Sequence, residues 1–590
     1  MFSPTRPTSK PATAGTVAKL ATSASAMTGA SSRRRLKRWS IRLLAALAAL
    51  VVLWVLFLVT VRLATTYLWF DSVHDGSAYK TMLEARILLF CIFGGIAGLV
   101  GGLTIVAVRR IQPQLYFSQD DDTFRWLFRQ HERRVWRLLL IAAVVVPGIL
   151  VGQSAAGGWQ TYLMWRHAAP WHSTDPLFHK DISFFVDVNP FHVMVVGLLS
   201  QALSYALWIA GIAGYWYGAW RLRRGRQKVT RGFTQLLSLL LAGYVVLKAL
   251  GYWFSRYALT TSPRGPVTGA GYTDVHAALP GAYVLMAVAI VCALALLANA
   301  LRVNAFFAGR VRGVAAAVCL MVVASLVVGS AWPALVYHFR EAPSAAKVDL
   351  SEIANNQKAT LAAFGLDGDV TTVPFEASKT GMDSASLVQL AGKTAQVPVI
   401  DPNQLTPTFN VEQQLQAYYG FKSTLDIGNY NINAQSRDVV LAVRELRANG
   451  IPQPSWVNNH LVYTHGYGVV AAPTTEVDPE TQGPVYLDGG MPPGQQIPVT
   501  RPQVYFGQAF GSSSYAIVGQ PAGSTKKLEF DHPGSNGSSS SAFTTYQGHG
   551  GIPIGSTLRK LLFAVQLHDP NIFFSSEVNN ASQLLMFRNP

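Results

Sequence analysis

The sequence contains little charge for its length. Charged residues make up 13% of the 590 residues, whereas hydrophobic residues make up 50%, and the mean hydropathy is positive. A chain so poor in charge is too apolar for an ordinary soluble protein, and it is long enough for several domains. The composition therefore indicates a multi-pass membrane protein.

Cysteine is scarce as well, and catalytic motifs are absent. The cysteines Cys91, Cys292 and Cys319 all fall in apolar runs. The polar remainder of the chain therefore has neither a disulfide framework nor a thiol nucleophile. A GxSxG elbow and a phosphate-binding glycine loop followed by Lys-Ser/Thr are also missing. No residue is predicted to be catalytic and no cofactor is predicted. The sequence therefore favours a protein that is not an enzyme.

Acidic residues are rare in the first part of the chain. Residues 1–337 contain 33 basic and 11 acidic residues, a net charge of +22, whereas residues 338–590 contain 15 and 20, a net charge of −5. The basic excess belongs to the apolar part, which argues against a nucleic-acid partner. The expected partner is the lipid bilayer.

Apolar runs follow a polar beginning. Residues 1–40 are rich in Ser, Thr, Ala and Pro and end in a basic cluster, which predicts a disordered tail. A membrane helix needs about 20 apolar residues to cross about 30 Å of hydrocarbon. Seven runs meet this requirement: 41–61, 87–108, 138–158, 191–216, 233–253, 279–301 and 313–337. The first has no cleavage site of small residues behind it and is expected to remain as an anchor.

Loop charges predict the orientation of these runs. The second, fourth and sixth loops contain 16 Lys and Arg, and the other loops contain seven. The positive-inside rule places the N-terminus and the basic loops in the cytoplasm. We therefore predict a plasma-membrane protein with a cytoplasmic tail (1–40), a seven-helix α-helical bundle (41–337) and an extracytoplasmic α+β domain (338–590).

Residues 338–590 show mixed periodicity. A capping-box pattern predicts a helix that starts at Asn410 and ends at Gly420, and apolar spacing predicts a second helix over 436–448 and an amphipathic one over 556–567. Short segments rich in β-branched and aromatic residues predict strands at 461–464, 468–472, 503–506, 515–518 and 528–530.

Small residues and one charge distinguish the apolar runs. Gly94, Gly98 and Gly102 recur every four residues, which is typical of a helix face packed closely against a neighbour. Lys248 is a charged residue inside the fifth run. It could face the bundle interior and hold a counter-ion or relay protons, or it could extend to the lipid headgroups.

Carboxylates and histidines gather in the predicted outer loops. One loop contains Asp175, His179 and Asp181, and another contains Asp274 and His276. Such groups could bind a divalent cation or polarise a substrate, or they could hydrogen-bond within the loops. None has a compact ligand spacing such as HExxH, so the sequence does not decide whether these residues bind a metal. In the outer domain, His460 and His465 flank a predicted strand and would need a third ligand to hold a metal.

Several ordered motifs resemble a known family. They are DPLFHKDISFF (175–185), GPVTGAGYTDVHAALP (265–280), FKSTLDIGNY, SWVNNHLVYTHGYGVV, RPQVYFG, YAIVG and GGIPIGSTLRKLLFAVQLHDPNIFFSS. The chain is similar to the bacterial integral membrane proteins grouped as uncharacterised protein family 0182. The resemblance implies seven spans and a large extracytoplasmic portion, but no reaction. Members of that family continue further, so we expect this chain to be a C-terminally shortened version.

Three functions are compatible with these observations. The first is an envelope-facing binding or scaffold protein whose outer domain engages a cell-envelope component or partner protein. The second is a transporter or channel that uses Lys248 and the outer loops. The third is a membrane-bound enzyme that uses Asp175, Asp181, Asp274 or His276 as acid, base or metal ligand. The absence of a catalytic constellation favours the first.

Overall fold

The structure is a computed structural model. It describes residues 43, 46–111, 132–223, 226–265, 268–301, 311–368, 370–371, 373–374, 381–394, 397–432, 434–491, 494, 496–497, 499–511, 514–519, 527–534 and 541–589. The predicted tail, residues 1–40, lies outside the described residues. The chain divides into two compact units, one formed by Met1–Tyr79 with Ser378–Pro590 and the other by Lys80–Ala377.

Long apolar helices dominate the first 341 residues. Among the described residues, seven helices are long and apolar enough to cross a membrane: Ala46–Ser72, Gly76–Ile111, Val135–Gly157, Phe184–Trp216, Arg231–Thr261, Asp274–Leu301 and Val311–Glu341. They are called spans one to seven below. The predicted number is confirmed. Most spans are longer than the apolar runs, because backbone hydrogen bonding continues into the polar residues at their ends.

Spans two and three approach each other through glycines. A Cβ atom added to Gly94 would lie 2.7 Å from the carbonyl oxygen of Gly148, and one added to Gly98 would lie 2.9 Å from that of Val144. No side chain fits at either position without movement of a backbone. The predicted role of these glycines in helix packing is therefore confirmed.

The unit Lys80–Ala377 contains four π-helical turns within its spans. They are Phe184–Val188, Asp274–Ala278, Val327–Ala331 and Tyr337–Glu341. Such turns are rare and occur often at functional sites. Shorter elements complete this unit: the helices Trp159–Arg166, Ala345–Val348 and Leu350–Ala363, and a hairpin of β1 (Trp220–Arg223) and β2 (Arg226–Val229).

The other unit contains span one and a region of small antiparallel sheets. The strands are β3 (Tyr419–Gly420), β4 (Asp426–Ile432), β5 (Gln435–Val443), β6 (Glu445–Leu446), β7 (Gly466–Tyr467), β8 (Val469–Pro473), β9 (Gln503–Val504), β10 (Ala516–Val518), β11 (Glu529–His532), β12 (Ala542–Thr544), β13 (Ile552–Pro553) and β14 (Gln583–Leu585). Their orders are β4-β5-β8, β10-β14-β13, β3-β6, β7-β9 and β11-β12. The helices are Ser384–Thr394, Pro402–Gln413, Thr557–Gln566 and Asn571–Phe574.

Several predicted elements of this region are confirmed. The strands predicted at 468–472, 503–506, 515–518 and 528–530 correspond to β8, β9, β10 and β11. The amphipathic helix is Thr557–Gln566, and Ser556 caps it by accepting a hydrogen bond from the Arg559 amide. Local patterns were sufficient here because turns or a clear cap bound each segment.

The helix predicted over 436–448 is wrong. These residues form β5, which pairs with β4 on one side and β8 on the other, and then β6. Val439 and Val440 are both completely buried because β5 lies in the middle of its sheet. Consecutive apolar residues fit helical and buried-strand patterns equally well, and the pairing partners decide between them.

Two further local predictions are wrong. The helix assigned to begin at Asn410 instead begins after Asp401, which caps it with Pro402 in the first turn, and ends at Gln413. Residues 461–464 were predicted as a strand, but Asn458–Val462 form a π-helical turn. In the first case, the Asp401 cap and the proline in the first turn are a stronger start signal than the pattern at Asn410.

The C-terminal end of span one packs against the sheet region. Leu68 and Trp69 contact a core cluster that includes Ile552, Phe563 and Leu584. The Trp69 ring also meets the Phe587 ring edge-to-face, with centroids 4.9 Å apart. The sheet region therefore lies at the C-terminal end of span one.

Candidate functional site

Lys248 lies on an exposed face of span five. Its Nζ atom is 5.6 Å from the centroid of the Tyr244 ring, one turn earlier in the same helix. An ammonium group over an aromatic ring is attracted by the negative face of that ring. Its role in a transport path remains a prediction.

Asp175 and Asp181 organise the loop before span four. The Asp175 carboxylate accepts hydrogen bonds from the amides of Leu177 and Phe178 at 2.9 and 2.7 Å. Asp181 accepts one from the Ser183 amide at 2.9 Å and others from Trp171 and His172. Hydrogen bonds from Ser183 and then Trp171 lower the pKa of Asp181 to about 2.

His179 belongs to the same turn, but its side chain takes no part in the hydrogen bonds that the structure describes there. Its ring is exposed, and its backbone has a φ of 53°, in the left-handed region. The amide of His179 donates to the Asp175 carbonyl at 3.0 Å. The loop around Asp175 and Asp181 is therefore held mainly by carboxylate-to-backbone bonds.

Asp274 and His276 point to different surroundings. Asp274 is 1% exposed and pairs with Arg264 through Nη1 and Oδ1 atoms 2.6 Å apart. His276 is exposed; its ring stacks on Tyr272 at 4.2 Å, and its Nδ1 lies 3.1 Å from the Tyr272 carbonyl oxygen. Within the described ranges, no three His, Cys, Asp or Glu side chains are arranged to hold a metal ion.

Two further carboxylates, which sequence reasoning missed, join Asp274 at the beginning of span six. The amide of Tyr272 donates to Asp349 Oδ1 at 2.8 Å, and the amide of Thr273 donates to Glu341 Oε2 at 2.6 Å. The preceding amide, of residue 271, donates to Asp274 Oδ2 at 3.3 Å. Three successive amides therefore hold three carboxylates, which we call the carboxylate cluster (Asp274, Glu341 and Asp349).

The position of the cluster has a simple electrostatic cause. The first amides of a helix lack partners within the helix and carry a partial positive charge, so carboxylates are stabilised there. Glu341 and Asp349 are 1% and 2% exposed. In sequence, their only signal was that they are the first two acidic residues after the last apolar run.

The cluster carries more negative charge than its neighbours balance. Arg264 pairs with Asp274, but no Lys or Arg in the described part of the chain forms an ion pair with Glu341 or Asp349. Burial raises the pKa of Asp349, as do the charges of Glu341 and Glu352, against the opposing effect of the Tyr272 amide.

A cavity of about 200 Å³ opens beside the loop that precedes span six. It is rimmed by the carboxyl-bearing residues Asp175 and Glu352 and by Asn355 and Asn356. Its apolar and backbone lining comes from Pro176, Leu177, Thr260, Gly269, Ala270, Val275 and Ala359. Asn356 Nδ2 donates to the Thr268 carbonyl oxygen at 2.6 Å and so ties the last helix of this unit to the loop before span six. We call this cavity the acidic pocket.

Comparison with known proteins identifies the family. Residues 43–590 match the model of UPF0182, described as an uncharacterised protein family. The chain belongs to the UPF0182 family. The resemblance drawn from the motifs is thereby confirmed, and no activity comes with it.

Other UPF0182 proteins show how much of a family member this chain represents. It is 34% identical to one from Leifsonia xyli subsp. xyli over 95% of this chain and 55% of the relative, and 34% identical to one from Frankia alni over 89% and 50%. A UPF0182 protein of Streptomyces coelicolor is 32% identical over 93% and 54%. The chain thus spans about half the length of the curated relatives it matches. No solved structure matches it.

The sheet region of this UPF0182 chain contains a buried polar network around His465. His465 Nδ1 lies 2.9 Å from Thr464 Oγ1, and Nε2 lies 3.4 Å from Asp531 Oδ1. Burial alone would raise the pKa of Asp531, but hydrogen bonds from His465 and Gln503 outweigh it and lower that pKa.

His460 has separate surroundings. It stacks on Tyr515 with ring centroids 3.9 Å apart, and burial lowers its pKa. Its Nδ1 lies 3.0 Å from the Tyr515 carbonyl oxygen. The two histidines therefore have different partners and do not share a ligand-binding arrangement.

Proposed function

We propose that this UPF0182 chain is an integral protein of the plasma membrane that binds a cell-envelope component. Its acidic pocket receives a positively charged group of that component. The bundle of residues 41–337 serves as the anchor, and residues 338–590 form the extracytoplasmic α+β domain. The observation that carries the proposal is the assembly of the pocket from three separate segments: the loop after span three, the loop after span five, and the helix that follows span seven.

Membrane topology makes this assembly coherent. Segments that follow the third, fifth and seventh crossings must lie on the same side of a bilayer. Loop charges then favour the extracytoplasmic side for all of them.

The chemistry of the pocket suits a cationic group. Two acidic residues and two asparagines line a cavity of about 200 Å³, large enough for an ammonium or guanidinium group but small for a whole polymer unit. Negative groups at a pocket rim select positive ligands and speed their association. Lys248, the residue behind the transport alternative, does not line this pocket.

A binding measurement tests the proposal. The full chain in nanodiscs is expected to bind peptide-bearing cell-wall fragments with free amino groups saturably. Glu352→Gln removes a charge from the pocket and is expected to weaken that binding about tenfold. The matched control is Asp367→Asn, which removes an exposed charge of the same unit outside the pocket and should leave affinity unchanged. Equal binding by both variants, or no saturable binding by the unmodified chain, would contradict the proposal.

Cysteine labelling tests the orientation. The native cysteines Cys91, Cys292 and Cys319 all lie in spans, so a new cysteine in a loop can be followed against a low background. Lys358→Cys is expected to react with a membrane-impermeant maleimide in intact cells, whereas Arg110→Cys should react only after lysis. Both positions are exposed. The reverse pattern would place the acidic pocket in the cytoplasm.

A further inference from the structure

The carboxylate cluster leaves one oxygen on each of two buried side chains without a partner. The Thr273 amide occupies Glu341 Oε2 and the Tyr272 amide occupies Asp349 Oδ1. Glu341 Oε1 and Asp349 Oδ2 are buried without a hydrogen bond, and so is the hydroxyl oxygen of Thr273. Thr273 itself is completely buried. A buried oxygen without a partner is costly, so three of them in one place require an explanation.

The backbone amides that bind Asp349 and Glu341 follow one another in the chain. The amides of residues 272 and 273 lie a few ångströms apart, so the two carboxylates that they bind are held at the same place in the fold. Gly271 lies beside Glu341 Oε1, since a Cβ atom built on that glycine would lie 3.0 Å from this oxygen. Glu341 and Asp349 are therefore both held at the beginning of span six, next to Thr273.

The charge balance points to a cation. Asp274, Glu341 and Asp349 carry three negative charges when ionised, and Arg264 supplies one positive charge. Arg340 is exposed, and its guanidinium lies over the Tyr272 ring at 5.2 Å without an ion pair to the cluster in the described residues. A deficit of two charges remains, and buried carboxylates are stable only when they are paired, protonated or bound to a metal.

We propose that Glu341, Asp349 and Thr273 form a binding site for a divalent cation that prefers oxygen ligands, of the Ca²⁺ type. Two carboxylate oxygens and a hydroxyl oxygen are hard ligands of the kind that such cations take. Ca²⁺ fits better than Mg²⁺ because it tolerates irregular geometry, whereas Mg²⁺ requires a near-octahedral arrangement. Asp274 is not a ligand, since Arg264 and a backbone amide occupy its two oxygens.

The bound ion would join three parts of the unit Lys80–Ala377. Thr273 lies just before span six, Glu341 is the last residue of span seven, and Asp349 precedes the helix Leu350–Ala363. That helix carries Glu352 and Asn356 of the acidic pocket. The inference does not depend on the proposed function, because a structural ion could be present whatever the pocket binds.

Calcium binding to the full chain in nanodiscs tests the site after removal of metal with a chelator. Titration calorimetry is expected to show one Ca²⁺ per chain, and Ca²⁺ should raise the temperature of unfolding. Glu341→Gln and Asp349→Asn keep the oxygen that accepts the backbone amide but remove the charge, and each is expected to weaken binding by at least about tenfold. Gly271→Ala keeps both carboxylates while displacing Glu341 Oε1, and should weaken binding as well.

Asp367→Asn provides the matched control. Asp367 is an exposed carboxylate of the same unit outside the site, and its substitution should change Ca²⁺ affinity by less than about threefold. Asp367→Asn is also expected to leave ligand binding in the acidic pocket unchanged, whereas Glu352→Gln is expected to impair it, so the calcium site and the acidic pocket are tested by different variants. No saturable Ca²⁺ binding by the unmodified chain, or undiminished binding by Glu341→Gln and Asp349→Asn, would overturn the proposed site.

Discussion

Glu529→Gln is expected to lower the free energy of unfolding of the sheet region by about 1 to 3 kcal/mol, the cost of leaving a buried hydrogen-bond donor without its acceptor. Glu529 is 2% exposed. Its Oε2 accepts hydrogen bonds from Thr464 Oγ1 and the Tyr505 hydroxyl at 2.9 and 2.8 Å, and its Oε1 accepts one from the Tyr546 amide at 2.9 Å.

The effect arises because glutamine has one acceptor oxygen where glutamate has two. In either orientation of the amide, its NH2 group faces donors, so at least one buried donor loses its bond. Thr464 also contacts His465, which faces Asp531, and the disturbance therefore spreads through the network.

Hydrogen exchange of the full chain measures this prediction, with the backbone amides of β11 and β12 as reporters of the sheet region. Glu577→Gln is the matched control, because Glu577 is exposed and its substitution should change stability by no more than about 0.5 kcal/mol. If the β11 amides of Glu529→Gln exchanged as slowly as those of the unmodified chain, the network would not stabilise the fold as described.

The polar network and the carboxylate cluster show where prediction from sequence ended. Thr464, Tyr505 and Tyr546 are distant from Glu529 along the chain, and no local pattern links them. Asp274 was recognised as a candidate because it lies in an outer loop, but its companions Glu341 and Asp349 become apparent only when three successive amides are seen to bind three carboxylates.

The spans were predictable for a physical reason that does not extend to the sheet region. Crossing a bilayer imposes a minimum length of apolar residues, and this requirement is visible in sequence without knowledge of any partner. A strand such as β5 is defined by its neighbours, and its Val-rich run satisfies helical spacing as well. Close helix packing is intermediate, since glycine spacing indicates a contact face but not the helix that it meets.

Gly101→Ala is expected to destabilise the bundle by about 3 kcal/mol or more, at the upper end of the cost of overpacking. A Cβ atom at Gly101 would lie 2.1 Å from the carbonyl oxygen of Ala143 in span three and 3.2 Å from Ile209 Cδ1 in span four. A backbone oxygen cannot move aside as a flexible side chain can. Spans two and three would have to separate, and the adjacent contacts at Gly98 and Gly94 would loosen with them.

Gly95→Ala supplies a control in the same helix with the opposite expected sign. An added Cβ there meets nothing within 4 Å, and alanine is favoured over glycine inside a helix by up to about 1 kcal/mol. Unfolding of the full chain in mixed micelles, followed by tryptophan fluorescence, should therefore show Gly101→Ala unfolding earlier and Gly95→Ala no earlier than the unmodified chain. A common shift of both variants in one direction would mean that helix propensity, rather than the approach of spans two and three, determines the effect of these glycines.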